Sequence, residues 1–280
     1  MIKSSPIRIA RDYNRTHVLP VRVLHVGAAA LLTPLRELWA WLGAAGRGAW
    51  LRPLAVGAAL TMLVLPFDRE LSVWLRSLNL RGDLRRMLEA WQQYGDFFSV
   101  CFAALVVVLL DPARVRRVAD LAVAAAGSSL ACLAIKMFVG RPRPKFDDPS
   151  YFLGPWGVYP IDVTVDGKPA VRLVHAWDLT AGVKAQLWSM PSSHTAAAAA
   201  LSVFLTALYP RFKWLGLAMI GVVGLGRTAL GAPPAHWPSD VIAGAAVGLA
   251  FSQVAVSGLW GSRVLERLLP RRASAGDERA

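Results

Sequence analysis

HWPSD, at residues 236–240, is the stretch that decides the fold, because it opens the last long apolar run, VIAGAAVGLAFSQVAVSGLW. A histidine and an aspartate therefore lie four residues apart at the start of a predicted membrane helix, where positions i and i+4 share a face. Asp240 can then hold one ring nitrogen of His236 and leave the other free to act as a nucleophile or base. An isolated pair of this kind is more commonly a helix cap, so the other polar residues of the chain decide between the two interpretations.

The composition is that of a membrane protein. Of the 280 residues, 55% are hydrophobic and only 18% are charged, whereas soluble domains carry about 25% charged residues. The two cysteines, Cys101 and Cys132, lie inside apolar runs. They are interpreted as small hydrophobic residues, and no disulfide framework is predicted.

Six apolar runs predict six membrane-spanning helices, and with them an all-α integral membrane protein built as a six-helix bundle. The predicted spans are Leu51–Phe67, Phe97–Leu110, Leu121–Gly140, Thr195–Tyr209, Trp214–Leu230 and Val241–Trp260. The second and fourth runs are shorter than the about 20 residues of a typical span, but flanking semi-polar residues can extend them. We assign residues 50–260 to this membrane domain.

Three further segments lie outside the predicted bundle. Residues 1–49 are basic, and their apolar part at 21–45 is interrupted by charges, so it is predicted to lie as helix on the membrane surface or to re-enter the membrane. Residues 163–174 hold two β-rich arms around an Asp-Gly pair at 166–167, which predicts a small hairpin over the outer face. Residues 261–280 are interpreted as a basic, partly disordered cytoplasmic tail.

The positive charges predict the orientation in the membrane. With the N-terminus inside, the inner segments hold 18 Lys and Arg against 6 acidic residues, while the outer loops, 68–96 and 141–190, hold 11 against 10. This distribution follows the positive-inside rule and predicts a multi-pass protein of the plasma (inner) membrane with both termini in the cytoplasm. Anionic inner-leaflet lipid then explains the net charge of +13, and a nucleic-acid partner is not expected.

Polar residues suited to phosphoryl chemistry gather at the predicted outer ends of four helices. They are Lys136 and Arg143 after the third helix, Ser192, Ser193 and His194 before the fourth, Arg227 at the end of the fifth, and His236 and Asp240 before the sixth. Each alone has a plain interpretation as a snorkelling cation or a helix cap. Their convergence on one face predicts a phosphate cradle, made of three cations and a helix N-terminus, that is served by two histidines.

These residues also form three ordered motifs. K-x6-RP is matched by Lys136, Arg143 and Pro144, PS-x-H by Pro191, Ser192 and His194, and R followed by H-x3-D by Arg227, His236 and Asp240. In these motifs the sequence resembles the type 2 phosphatidic acid phosphatase family, the membrane branch of the superfamily that contains the vanadium haloperoxidases. The resemblance covers roughly residues 51–260, and three motifs in the right order make it specific.

The resemblance implies a metal-independent enzyme without a cofactor that dephosphorylates a lipid phosphomonoester or diphosphate at the outer (periplasmic) face. It implies that His236 attacks phosphorus to form a phosphohistidine, that Asp240 orients His236, and that His194 protonates the leaving oxygen. Phosphate-binding roles are implied for the other motif residues, which are Lys136, Arg143, Arg227, Ser192 and Ser193. The candidate substrates are phosphatidate, phosphatidylglycerol phosphate, undecaprenyl diphosphate and lipid A.

The sequence departs from the family pattern at three places. Ser193 stands where glycine is usual, and Gly226 stands where a serine commonly precedes the arginine. Eight residues separate Arg227 from His236, three more than in the pattern. Two other functions would use the same residues: a transferase that passes the phosphoryl or head group to an alcohol, and a catalytically silent protein that only binds lipid phosphate. The pairing of His236 with Asp240 favours an enzyme over the silent protein.

Overall fold

The computed structural model describes residues 48–165, 167–180, 182–231 and 234–268. The predicted surface segment at 21–45, the turn residue Asp166 and the last part of the tail lie outside these ranges. The described residues are mostly helical and contain one two-stranded antiparallel sheet. This agrees with the predicted helical fold and its small hairpin.

Helices follow one another with short connections. In the described part of the chain, those of nine or more residues are α1 Leu51–Val64, α2 Asp68–Ser77, α3 Gly82–Trp91, α4 Phe97–Leu110, α5 Val118–Val139, α6 Ser193–Leu208, α7 Lys213–Ala229, α8 Pro238–Ser257 and α9 Trp260–Leu268. The outer loop predicted at residues 68–96 is instead folded largely as α2 and α3. Both helices mix apolar and charged residues, and a search for uninterrupted apolar runs does not detect helices of this kind.

Three helical segments within the described residues are long and apolar enough to cross a membrane: Leu51–Ser77, Pro112–Val139 and Pro238–Ser257. A fourth is counted if Gly82–Gly95 and Phe97–Leu110, which meet at a bend of 70°, form one span. The predicted number of six spans is therefore not confirmed. The predicted fourth and fifth spans do form helices, but α6 has 16 residues and α7 has 17, fewer than the about 20 of a typical span.

Helices α6 and α8 lie at the centre of the fold. α8 packs against α6, α1 and α5, and α6 also packs against α7. Glycines allow α6 and α8 to approach closely, because a Cβ added at Gly244 would lie 2.3 Å from the Ser192 carbonyl oxygen, and one at Gly248 would lie 2.3 Å from that of Ala196. The backbone N–H of Ser192 also donates to the carbonyl oxygen of Asp240 at 2.9 Å. The N-terminal ends of the two helices therefore meet.

The predicted hairpin is present, and its first arm is longer than expected. β1, Tyr159–Val165, pairs antiparallel with β2, Lys168–Val174. Ile161 of β1 lies in a buried apolar cluster with Leu187 and Trp188. Because the last two residues belong to the segment that leads into α6, the hairpin supports the approach to that helix.

The predicted tail at 261–280 begins as part of a helix, since α9 continues to Leu268 and packs against α5. The fully buried carboxylate of Asp120, near the start of α5, accepts hydrogen bonds from the Ser262 backbone N–H and hydroxyl, each at 2.8 Å. The Nε of Arg117 donates to the same carboxylate at 2.6 Å. These hydrogen bonds hold α9 against α5. They are not predicted from the sequence, because the tail is interpreted from its charges alone.

Candidate active site

The first motif is positioned by the C-terminal end of α5. Gly140 ends the helix in the left-handed conformation, at φ 59°, and donates its N–H to the Lys136 carbonyl oxygen at 2.9 Å, a cap that glycine favours. The buried Nζ of Lys136 donates to the carbonyl oxygens of Trp188 at 3.2 Å and Pro191 at 2.5 Å. An ammonium group has three N–H donors, so the described residues leave one donor of Lys136 without an acceptor.

Arg143 reaches the third motif from the loop after α5. Its Nη1 donates to the carbonyl oxygen of Ala235 at 3.2 Å. Its Nε is buried and has no hydrogen-bond partner among the described residues. Burial lowers the pKa of the Arg143 guanidinium, and the negative charge of Asp240 acts in the opposite direction. An anion beside Nε would satisfy this donor and stabilise the charge.

The second motif forms the start of α6. The hydroxyl oxygen of Ser192 caps the helix by accepting from the Thr195 N–H at 3.5 Å and from the Thr195 hydroxyl at 3.1 Å. Because this hydroxyl is buried and engaged, the donors of the motif that an anion could reach are the backbone N–H groups that follow. Ser193 and His194 supply these groups in the first turn, where N–H donors have no intrahelical acceptor. Both residues are partly exposed.

The turn at Gln92–Gly95 packs on the second and third motifs. A Cβ added at Gly95 would lie 2.2 Å from the carbonyl oxygen of His194, and one added at Gly226 would lie 2.7 Å from the Cβ of Gln92. The close approach of Gln92 therefore explains why this chain has glycine at position 226. A serine there, as in the family pattern, would collide with the turn.

His236 lies in the loop before α8, and its ring is buried. Its Nδ1 is 2.7 Å from the carbonyl oxygen of Ser189. Since a carbonyl oxygen only accepts, this contact assigns the proton to Nδ1 and leaves the lone pair on Nε2. The Oδ2 of Asp240 lies 3.7 Å from Nδ1, beyond hydrogen-bond distance. The direct hydrogen bond expected from Asp240 is therefore replaced by one to Ser189, because α8 begins only at Pro238 and His236 precedes it.

Asp240 is linked to the imidazole through Ser189. Its Oδ2 accepts from the Ser189 hydroxyl at 2.5 Å and from the Trp237 N–H at 2.9 Å, while its Oδ1 accepts from Nη1 of Arg141 at 2.6 Å. Ser189 therefore donates to the carboxylate with its hydroxyl and accepts from the ring with its carbonyl oxygen. The contact with Trp237 is the backward reach of an acidic side chain in the first turn of a helix.

The surroundings keep His236 neutral. Burial lowers the pKa of His236 to about 4, and the positive charges of Lys136 and Arg143 act in the same direction, while Asp240 opposes them. At neutral pH the imidazole therefore carries a lone pair, as a nucleophile must.

The longer connection between Arg227 and His236 forms a loop whose two ends are hydrogen-bonded to each other. Gly231 and Pro234 form an isolated antiparallel bridge, and the His236 backbone N–H donates to the Arg227 carbonyl oxygen at 3.2 Å. Arg227 and His236 are therefore neighbours in space despite the extra residues. The Nε of Arg227 is also buried, and nothing in the described part of the chain accepts a hydrogen bond from it.

The structure brings the three motifs together where α5, α6, α7 and α8 meet. Lys136 binds the carbonyl of Pro191 at the start of the second motif. The second motif binds the third through Ser192 and Asp240. Arg143 binds the residue that precedes His236. All eight predicted site residues therefore lie at one end of the bundle.

Four polar residues of this network were not identified as site residues by the motifs. They are Asp68, Arg141, Ser189 and Ser239. Arg141 and Ser239 lie inside motif stretches, and Ser189 lies three residues before Ser192. Their closeness to the motifs in sequence could therefore have marked these three as candidate site residues. Asp68, at the start of α2, binds Ser239 across 171 positions of sequence. No local pattern indicates that contact.

Residues 117–263, which include all three motifs, match the family model described as the PAP2 superfamily. No curated protein matches the chain. Among solved structures, the chain is similar to the crystal structure of Aquifex aeolicus LpxE, with 17% identity, a TM-score of 0.46, and coverage of 67% of this chain and 93% of the other. It is also similar to the first transmembrane PAP2 type phosphatidylglycerolphosphate phosphatase from Bacillus subtilis, with 16% identity, a TM-score of 0.48, and coverage of 80% and 98%.

Proposed function

The chain belongs to the PAP2 superfamily, and on that premise we propose that it is a membrane phosphatase that hydrolyses a phosphate ester or diphosphate bond of a lipid. One observation carries the proposal: Arg143 and Arg227 each have a buried Nε without a partner among the described residues, and both contact the segment that holds His236. The lone pair on Nε2 of His236 is assigned by the contact at Nδ1. Two free guanidinium donors and a nucleophile in one place suit a bound phosphate.

In the first step, the Nε2 lone pair of His236 forms a bond to phosphorus while the bond from phosphorus to the leaving oxygen breaks. Burial and the positive charge of Arg227 lower the pKa of His194 to about 4, so His194 gains its proton when the negatively charged phosphate binds beside it. His194 then donates that proton to the leaving oxygen, and the lipid alcohol leaves. The three cations of the phosphate cradle stabilise the charge on the transferring group. Phosphorylation makes the imidazole positive, and the carboxylate of Asp240, 3.7 Å from Nδ1, stabilises that charge.

In the second step, water attacks the phosphohistidine. His194, now neutral, accepts a proton from the water as the new oxygen–phosphorus bond forms. The phosphorus–nitrogen bond breaks and returns the lone pair to Nε2 of His236, and inorganic phosphate leaves. Nδ1 keeps its proton throughout because the Ser189 carbonyl oxygen holds it.

A lipid substrate is inferred from the position of the site on apolar helices. α4 exposes apolar side chains at both ends, with Phe98 and Leu110 each 79% exposed, as lipid-facing helices do. The site lies at the ends of α5 to α8, where the head group of a lipid would meet it while the acyl chains stay among apolar surfaces.

Phosphate release by the purified protein in detergent tests this proposal. We expect release from at least one of phosphatidate, phosphatidylglycerol phosphate, undecaprenyl diphosphate and lipid A, and none from the His236→Ala protein. Folded protein that releases phosphate from no member of this panel contradicts the proposal. Formation of a phosphorylated alcohol in place of inorganic phosphate, when an alcohol acceptor is added, would assign the site to a transferase.

We propose further that hydrolysis needs no metal ion. Within the described residues, no three His, Cys, Asp or Glu side chains are grouped to hold one, and both carboxylate oxygens of Asp240 already accept hydrogen bonds. Activity should survive excess EDTA, and vanadate, which mimics five-coordinate phosphorus, should inhibit. Loss of activity on chelation, restored by Mg²⁺, would show that a metal takes part.

The proposed location of the chemistry is the outer face, as the charge distribution predicts. In a Cys101→Ala background, since Cys101 is exposed on α4, Asp166→Cys should react with a membrane-impermeant thiol reagent in intact cells. Ala275→Cys in the same background should not react. The reverse labelling pattern would place the chemistry in the cytoplasm.

A further inference from the structure

A set of buried charges joins the start of α2, the loop after α5 and the start of α8. Asp68, Arg141 and Asp240 have no exposed surface. Arg141 lies between the two carboxylates, with Nη2 at 2.7 Å from Oδ2 of Asp68 and Nη1 at 2.6 Å from Oδ1 of Asp240. Charges removed from water are costly unless each is paired. The three side chains therefore form one unit, in which a change at either end alters the whole.

Arg141 has no donor left for a phosphate. A guanidinium has five N–H donors, and all five of Arg141 are engaged by the protein. Nη1 donates to Asp240 and to the Ser239 hydroxyl oxygen at 2.7 Å, Nη2 donates to Asp68 and to the Pro149 carbonyl oxygen at 2.5 Å, and Nε donates to the same carbonyl at 3.0 Å. Its role is therefore to hold carboxylates, and the phosphate cradle consists of other cations.

Asp68 competes with Asp240 for the positive charge of Arg141, because the guanidinium pairs with both carboxylates. Every partner of Asp68 is a donor, as an ionised carboxylate requires: Arg141, the Ser239 backbone N–H at 2.8 Å, and the Ser239 hydroxyl. Asp68 therefore holds the first turn of α8, which carries Asp240, and it shares Arg141 with Asp240. Two carboxylates and one guanidinium leave a net negative charge next to His236. That charge stabilises the imidazole as it becomes positive.

We propose that Asp68 is a positioning residue of the phosphoryl-transfer site, acting on His236 through Arg141 and Asp240. The proposal rests on the proposed function, because it assigns Asp68 to the step in which His236 is phosphorylated. Asp68 does not touch the phosphate cradle. It should therefore govern the rate of transfer and leave the binding of phosphate oxygens unchanged.

Asp68→Asn in the purified full-length protein tests this role. The amide keeps an acceptor for the Ser239 N–H but removes the negative charge, so Arg141 neutralises Asp240 alone. We expect kcat to fall about ten- to a hundredfold, the range found when the partners that orient metal-binding side chains are removed. KM and the inhibition constant of inorganic phosphate, which binds the same donors as a ground-state ligand, should change by less than about threefold.

Asp120→Asn is the matched control. Asp120 also accepts the N–H and hydroxyl of a serine, Ser262, and pairs with Arg117, but it lies at the other end of α5 from Lys136. We expect this variant to lose thermal stability and to keep its kcat.

A second pair of variants covers the case in which Asp68→Asn does not fold. Ser239→Ala removes one hydroxyl from the same unit, and Ser262→Ala removes the corresponding hydroxyl at the other end. We expect kcat to fall about three- to tenfold for Ser239→Ala and to stay unchanged for Ser262→Ala.

Two outcomes would overturn the positioning role. One is an unchanged kcat in folded Asp68→Asn protein. The other is a loss of inorganic phosphate binding in parallel with kcat, which would show a general collapse of the site. A wild-type protein without phosphatase activity would instead refute the proposed function, and the role of Asp68 with it, so the two failures are told apart.

Discussion

The two ends of the helix bundle carry the same small arrangement of side chains with different consequences. At each end a fully buried aspartate accepts the backbone N–H and the hydroxyl of a serine in the first turn of another helix, and an arginine completes the set. The two sets are Asp68, Ser239 and Arg141 at the site, and Asp120, Ser262 and Arg117 at the opposite end. Since the local contacts are alike, they do not by themselves make one set functional.

The difference lies in what else the arginine touches. Arg141 is wholly buried and binds a second carboxylate, Asp240, which is linked to His236. The side chain of Arg117 is 28% exposed, and it also donates to the Val256 carbonyl oxygen at 3.0 Å. Water screens a charge that reaches it, whereas a buried charge must be balanced by its neighbours. The same arrangement therefore fastens α9 at one end and is coupled to the histidine at the other.

The largest effect is expected from removing the nucleophile at the site end. His236→Ala should lower kcat by at least about a thousandfold, as loss of a covalent nucleophile does, while the protein stays folded in detergent. His194→Ala should still form the phosphoenzyme from p-nitrophenyl phosphate, because its leaving group needs no proton. Acid lability identifies the phosphate as one bound to histidine, and mass spectrometry of the wild-type protein, quenched during turnover, locates it. Phosphate on His194 of the wild type and none on His236 would reverse the assignment.

Arg227→Ala should have the next largest effect, a loss of about a hundredfold or more in kcat, because it removes a cation from the phosphate cradle. Deleting residues 232–234 should leave appreciable activity, since Arg227 and His236 are joined directly across the loop. Arg117→Ala, at the opposite end, is the control and should keep its turnover.

Near-full activity of Arg227→Ala would remove that residue from the site. Arg141 could not then be its substitute, because all of its donors are taken by protein groups. Phosphate binding would instead rest on Lys136 and Arg143. Initial rates over a range of substrate concentrations separate the two cases.

Features that have a signal in a few neighbouring residues could be predicted from the sequence. The cap at Ser192 and the hairpin around 166–167 both have local signals, and the structure shows them. The order of the three motifs likewise indicates the family, which is confirmed. The number of spans could not be fixed in this way, because α6 and α7 are short for a bilayer and apolar length alone does not decide how they are placed.

Contacts that depend on tertiary packing could not be predicted. The i, i+4 rule assumes a helix across 236–240, but α8 begins at Pro238. His236 therefore faces Ser189, and Asp240 turns toward the helix N-terminus. From the sequence, Arg141 could be a snorkelling cation or a phosphate ligand. The structure shows that it binds the buried carboxylate of Asp68, which is far away in sequence.

A smaller effect is expected in the pH dependence of stability. The pKa of His236 is lowered to about 4 by burial, whereas that of an unfolded histidine is about 6.5. Between these values the unfolded state binds more protons, so stability falls as the pH is lowered from about 6.5 to 4, by up to about 3 kcal/mol. Melting in detergent should therefore depend less on pH in His236→Ala than in the wild type. Identical dependences would show that the imidazole is not held neutral.

The smallest effect on turnover is expected at the opposite end. In Asp120→Asn the amide can still accept the Ser262 N–H, but its NH₂ group faces Arg117 and the Ser262 hydroxyl. The loss of a charged acceptor from a buried site should lower the free energy of unfolding by about 1–3 kcal/mol. Because Arg117 is partly exposed, it can turn to water, which places the expected value toward the lower end. Thermal melting and kcat of the same preparation measure both quantities.

An unchanged kcat in Asp120→Asn, set beside a reduced kcat in Asp68→Asn, would show that the link from Arg141 to a second carboxylate gives the set at the site its role. A reduced kcat in Asp120→Asn, with stability retained, would break the comparison. It would mean that α5 transmits a change from Asp120 near its start to Lys136 near its end. Such a change could be transmitted through the charge of Asp120 or through the packing of α9 on α5, and Asp120→Glu separates the two because it restores the charge. Recovery of turnover would indicate electrostatics, and no recovery would indicate packing.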